Sequence, residues 1–113
     1  MLLLMSPFRS IEDVVGTLIG RWAKIFIKDR FKNIEHIQEV ECPVFIIHGA
    51  KDTLIPKEHA EDLHSHCKNI SQILIPDEMD HNNFDFYDDL CQPLLEFMAK
   101  IRFSPNPNPN LGN

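Results

Sequence analysis

The run Val44-Phe45-Ile46-Ile47 is apolar at every position. A strand with one wet face alternates apolar and polar residues, so an unbroken run between Cys42-Pro43 and His48-Gly49 predicts a strand covered on both faces. Helices provide that cover in an α/β domain with a parallel sheet. The strand leads into HGAKDTLIP, residues 48–56, which places one carboxylate, Asp52, just past its end. Functional side chains of parallel α/β sheets gather beyond the carboxyl ends of the strands. Asp52 therefore stands where chemistry would be carried out.

The rest of the chain supplies the other layers. Leu2-Leu3-Leu4-Met5 reads as a short buried strand broken by Ser6-Pro7, since proline offers no N–H to a ladder. Ser10 with Asp13 three positions on reads as a helix start. Ile11, Val14, Val15, Leu18, Ile19 and Trp22 then recur at helical spacing, and the pattern extends to Ile27. Gly16 and Gly20 each weaken that helix by up to about 1 kcal/mol relative to alanine. Phe31, Ile34, Ile37 and Val40 mark a shorter helical piece. A helix is expected over 57–67 behind Pro56, a strand over 73–75 ended by Pro76, and a final helix striped by Tyr87, Leu90, Cys91, Leu94, Leu95, Met98 and Ile101. Pro93 interrupts this last stripe and requires a kink or a restart.

About three parallel strands flanked by helices are thus expected over residues 1–103, in a sheet that is incomplete. Three strands leave edges whose N–H and C=O groups are unpaired, and a buried strand at the first residue implies that the chain begins in the middle of a sheet. The tail SPNPNPNLGN, residues 104–113, offers nothing apolar to bury and is expected to be disordered.

The chain has 113 residues and a net charge of −6, so a nucleic-acid surface, which needs clustered Lys and Arg to neutralise phosphates, is not expected. Three cysteines with no C-x-x-C spacing suggest neither a disulfide framework nor a zinc knuckle, and point to a reducing, cytoplasmic setting. MLLLMSPF is too short for a membrane span or a signal-peptide core. A preceding N-terminal region could still carry a membrane attachment.

His81 follows the third apolar run by six residues, in PDEMDHNNF, and its loop is expected to open on the same rim as Asp52. A carboxylate there can accept the Nδ1–H of an imidazole, which sets the ring's tautomer and stabilises the imidazolium formed when the histidine takes a proton from a nucleophile. Asp52 and His81 are therefore the candidate catalytic residues. Each has a plainer reading: Asp52 as a turn residue ahead of the next helix, and His81 as a loop histidine beside Asp80.

On these residues the chain resembles a family. CPVFIIHGAKDTLIP is similar to the acid-bearing strand and loop of α/β-hydrolases, and IPDEMDHNNF with its following helix is similar to their histidine loop and last helix. The order acid then histidine also agrees. MSPFRSIEDV and NIEHIQEVECPVFIIHG most resemble the intracellular palmitoyl-protein thioesterase branch, which includes serine-aminopeptidase-like relatives. The resemblance covers about residues 2 to 101 and implies the C-terminal half of an α/β-hydrolase fold, strands six to eight with their helices. It also implies a serine hydrolase acting on esters or thioesters, with protein depalmitoylation as the finer expectation. The family's G-x-S-x-G nucleophile elbow is absent: the glycines are Gly16, Gly20, Gly49 and Gly112, and no serine lies between a properly spaced pair. The nucleophile and oxyanion hole belong to the earlier half of that fold, so the isolated chain is expected to be inactive. Its partners would be a completing N-terminal half and an acyl ester or thioester. The alternative is a non-catalytic binding or scaffold module that pairs with another chain, or with its own copy, at the open sheet edge.

Other residues invite weaker readings. His48-Gly49 is usually structural in that family, with Gly49 permitting a tight turn. His59, His64, His66 and Cys67 suggest a metal site, but residues two apart on a helix point to different faces and zinc needs three or four converging ligands. No metal and no cofactor is expected. Asp77, Glu78, Asp80, Asp85, Asp88 and Asp89 lack the glycine turn and alternating ligands of a calcium loop and read as a solvated face. Trp22 and Phe26 could line an acyl pocket or belong to the core. Cys91 lies on an apolar helical stripe and is a poor nucleophile candidate.

Overall fold

The structure, a computed structural model, describes residues 1–22 and 31–103. Phe26, Ile27 and the Pro/Asn tail lie outside the described residues. Three parallel strands form one sheet in the order β1-β2-β3: β1 Leu2–Met5, β2 Val44–Ile47 and β3 Ser71–Leu74. Leu2 pairs with Val44 and Met5 with Ile47, while Val44 pairs with Ser71 and Ile47 with Leu74. This is a partial α/β fold, with helices between the strands.

β2 is central, and all four of its residues are buried. Its side chains supply two separate cores, which is why the run does not alternate. Val44 and Ile46 pack with Ile37 and with Ala60 and Leu63 of helix α3, Glu58–Ser65. On the other face, Phe45 and Ile47 pack with Met79 and with Phe97 of helix α4, Gln92–Phe103. The Phe45 and Phe97 rings lie 5.4 Å apart in a tilted arrangement, a favoured aromatic geometry.

Among the described residues β1 has β2 as its one neighbour, as expected for an incomplete sheet. Leu2 and Leu4 lie against the α3-side core, and Leu3 and Met5 are each 37% exposed on the α4 side. The first helix, α1, is Ile11–Leu18 and is shorter than its periodicity suggests. Ser10 Oγ caps it by accepting the Asp13 N–H at 3.2 Å. Gly20, at φ +112°, takes the chain out of helical geometry, and Trp22 is exposed rather than core. A one-turn helix, α2, covers Asn33–His36 and runs into a 3₁₀ turn at Ile37–Glu39.

Pro93 is accommodated by a change of helical register. Phe86–Cys91 form a π-helical turn, and the Gln92 N–H reaches back five residues to the Tyr87 carbonyl. Pro93, lacking an N–H and intolerant of a carbonyl four residues back, then falls at the second position of α4. Wide turns of this kind occur as short insertions at the ends of or within α-helices.

Candidate active site

Asp52 enters the site on a loop that continues directly from β2. Its N–H donates to the Gly49 carbonyl at 3.2 Å. Its Oδ1 accepts the N–H groups of Leu54 and Ile55 at 3.0 and 2.8 Å. Its Oδ2 lies 2.8 Å from His81 Nδ1. The two sequence readings of Asp52 are therefore not exclusive: one oxygen builds the turn and the other meets the imidazole. The Asp52 side chain is fully buried, whereas that of His81 is 32% exposed.

The histidine loop is held by backbone and by one apolar side chain. Ala50 N–H donates to the Pro76 carbonyl at 3.0 Å and Lys51 N–H to the Met79 carbonyl at 2.9 Å. Met79 is 1% exposed and sits in the core with Phe45, Ile47 and Phe97. Two residues on, His81 is carried to the rim. Gly49 matters here for space. A Cβ on it would lie 2.6 Å from the Met79 carbonyl carbon and closer still to the oxygen. Close approach of the two loops, not a left-handed turn, is what demands glycine.

The carboxylate–imidazole contact has a definite chemical capacity. A carboxylate can only accept, so Nδ1 is the protonated nitrogen in this pairing, and Nε2 is left to take up or give a proton at the exposed edge. Among the described residues, no serine hydroxyl hydrogen-bonds to His81. Asp80, next in sequence, does not compete for the ring. Its Oδ1 accepts the N–H groups of Asn82 and Asn83, each at 2.7 Å, and its Oδ2 accepts from Asn83 Nδ2 at 2.8 Å. The Asn83 side-chain bond, followed by these backbone bonds, holds the Asp80 carboxyl below the usual carboxylate range. Asp85 Oδ1 likewise accepts from Tyr87 and Asp88 N–H. Part of the acidic stretch thus shapes the loop rather than standing free in solvent.

His48, read from the sequence as a structural residue at the strand end, lies beside the acid. It is fully buried, and its Nε2 lies 2.6 Å from the Ile55 carbonyl and 3.4 Å from Asp52 Oδ2. The sequence marks it by the His-Gly pair at the strand end, four residues before the acid, but not by these contacts. The α3-side histidines do other work. His59 Nδ1 accepts the Arg9 N–H at 3.1 Å, and His66 Nδ1 lies 2.8 Å from the Asp62 carbonyl. Burial, reinforced by the Arg9 charge, lowers the His59 pKa, and burial raises that of the Cys67 thiol. No helix among the described residues is long and apolar enough to cross a membrane.

Comparison with known proteins supplies the family. The family profile described as serine hydrolase (FSH1) matches residues 2–82. Alpha/beta hydrolase domain-containing protein 17B of Xenopus laevis is 31% identical over 77 residues, covering 68% of this chain and 27% of that protein. Its Homo sapiens counterpart is 30% identical over the same length. Serine hydrolase BPHL of Homo sapiens is 32% identical over 62 residues, covering 55% of this chain and 21% of that protein. The matched stretch spans about a quarter of the length of these relatives. The matched region includes β1, β2, β3, Asp52 and His81, and by this match the chain belongs to the serine hydrolase (FSH1) family of the α/β-hydrolase superfamily.

Proposed function

We propose that this chain is the acid–base portion of a serine hydrolase that cleaves acyl esters or thioesters, with Asp52 as triad acid and His81 as general base. The observation that carries the proposal is the 2.8 Å approach of Asp52 Oδ2 to His81 Nδ1, buried on the acid side and open on the imidazole side. In this reading His81 Nε2 removes the proton from a serine hydroxyl as the oxygen attacks the acyl carbonyl. It then returns that proton to the departing alcohol or thiol. Asp52 keeps the ring in the Nδ1–H tautomer and stabilises the imidazolium, without itself taking the proton. A fatty acyl thioester on protein is the finer substrate proposal, and it rests on the likeness of the MSPFRSIEDV and NIEHIQEVECPVFIIHG segments to the thioesterase branch.

The sequence contains no G-x-S-x-G elbow, so the nucleophile must come from polypeptide outside these residues. The purified chain is expected to hydrolyse neither p-nitrophenyl esters nor acyl thioesters and to resist a fluorophosphonate probe. Adding an N-terminal segment that bears the elbow is expected to restore labelling. Labelling of any serine in the chain alone would refute the division of roles. A second reading, a non-catalytic module that pairs through its sheet edge, is supported by the outer edge of β1, which has no paired strand among the described residues, and by the exposure of Leu3 and Met5. It predicts concentration-dependent association in size-exclusion chromatography that no N-terminal segment reverses.

A further inference from the structure

His48 is a polar ring in a fully buried position, next to a carboxylate that already has partners. Its Nε2 lies 2.6 Å from the Ile55 carbonyl oxygen. A carbonyl only accepts, so Nε2 must carry the hydrogen. The same nitrogen stands 3.4 Å from Asp52 Oδ2, the oxygen that faces His81. Nδ1 is buried without a hydrogen-bond partner among the described residues, so the ring is held through Nε2. Asp52 and Ile55 are the two ends of the turn that carries the acid, joined by the Ile55 N–H to Oδ1 bond at 2.8 Å. His48 thus closes a second link across the same turn from the end of β2. The charged or titratable groups near it are Asp52 on its own loop and His59 on α3, beside which Arg9 lies.

We infer that His48 is a positioning residue for the proposed acid–base pair: by donating Nε2–H to the Ile55 carbonyl it fixes the 52–55 turn so that Asp52 Oδ2 is aimed at His81 Nδ1. Without that donor, the Ile55 carbonyl is buried with one partner fewer and the turn loses its tie to the end of β2, keeping the Leu54 and Ile55 N–H bonds to Asp52 and the Asp52 N–H bond to the Gly49 carbonyl. A buried acceptor left without its donor carries a desolvation penalty that the turn relieves by moving. The effect on His81 passes through Asp52. The inference rests on the acid–base reading above but concerns the geometry of the pair, which exists whether or not a nucleophile is supplied.

The test is side-chain ¹⁵N NMR of the whole 113-residue chain, which reads the tautomer of each imidazole directly instead of leaving it to be assigned from hydrogen-bond partners. In the native chain His48 is expected in its Nε2–H form and His81 in its Nδ1–H form. His48→Leu removes the donor and keeps apolar bulk, and the ratio of Nδ1–H to Nε2–H at His81 is expected to fall about tenfold, the weight of one hydrogen bond. His48→Gln, which carries an amide N–H at a similar reach, is expected to restore the ratio. A purely structural role would lower stability and leave the His81 tautomer unchanged, and that result overturns the inference. Should His48→Leu fail to fold, the native chain decides alone: an Nδ1–H tautomer at His48 refutes the proposed link. A tautomer shift in His48→Leu, combined with no activity in any completed hydrolase, would leave the positioning role standing and remove the catalytic reading.

Discussion

Replacing Gly49 by alanine tests how the acid and histidine loops are held together. The new Cβ would stand 2.6 Å from the Met79 carbonyl carbon and 3.0 Å from Met79 Cγ. Distances under 3.0 Å are essentially never seen for real Cβ atoms, and here the closest obstacle is backbone rather than a flexible side-chain tip. Relief requires the 76–81 segment to move outward by roughly 0.5–1 Å, because a close-packed interior has no slack to absorb the atom. That segment bears His81, whose Nδ1 is 2.8 Å from Asp52 Oδ2. A shift of about 1 Å takes such a pair past the limit of a hydrogen bond. Overpacking alone costs about 1–3 kcal/mol. Loss of a hydrogen bond to a charged group adds about 1.5–3 kcal/mol. Both costs come from one displacement, so they do not sum fully, and a net loss of about 2–4 kcal/mol is expected. In a domain of this size that lowers Tm by about 10–20 °C. Urea and thermal unfolding followed by circular dichroism would measure the loss, and imidazole ¹⁵N shifts would report the pair. A Gly49→Ala variant that loses less than about 0.5 kcal/mol and keeps His81 in its Nδ1–H form would refute the close-approach account.

Three further expectations follow from the same contacts. In a hydrolase completed by an N-terminal segment, Asp52→Asn is expected to cut turnover by about 10⁴ by favouring the wrong His81 tautomer; a loss below about tenfold would remove Asp52 from the triad. Phe97→Ala empties the side of the core where its ring meets Phe45 and is expected to cost about 3–5 kcal/mol in urea unfolding; a cost under 1 kcal/mol, about what a surface change gives, would mean that α4 does not hold the sheet. Burial keeps the His59 pKa below its ordinary 6.5, so the unfolded chain binds more protons there than the folded one. His59's contribution to stability is then complete above pH 6.5 and declines as pH falls from there toward its lowered folded value. His59→Gln should flatten the urea midpoint over that window, and an unchanged slope would refute the assignment.

The parallel sheet and its central strand were legible because Val44–Ile47 lacks alternation, a pattern that needs cover on both faces. Asp52 and His81 were legible as neighbours because each follows an apolar run by five or six residues, which puts both loops on one rim. Two features were not legible. The π turn at Phe86–Cys91 is a register change that Pro93 forces, and proline alone announces only a break. The His48 link and the Gly49–Met79 contact join loops 7 to about 30 positions apart and exist only as distances between them.

The central placement of β2 has a consequence for motion at the site. β2 is bonded to a neighbour along both edges, and the acid loop continues from its last residue; the histidine loop leaves β3, which among the described residues has β2 on one side alone. Amide deuteration should therefore proceed last through 44–47 and sooner through 71–74, because opening is cheapest where fewest bonds break. On that order the carboxylate rides on the quieter half of the molecule, and any parting of the pair is expected to start from the flank that carries His81.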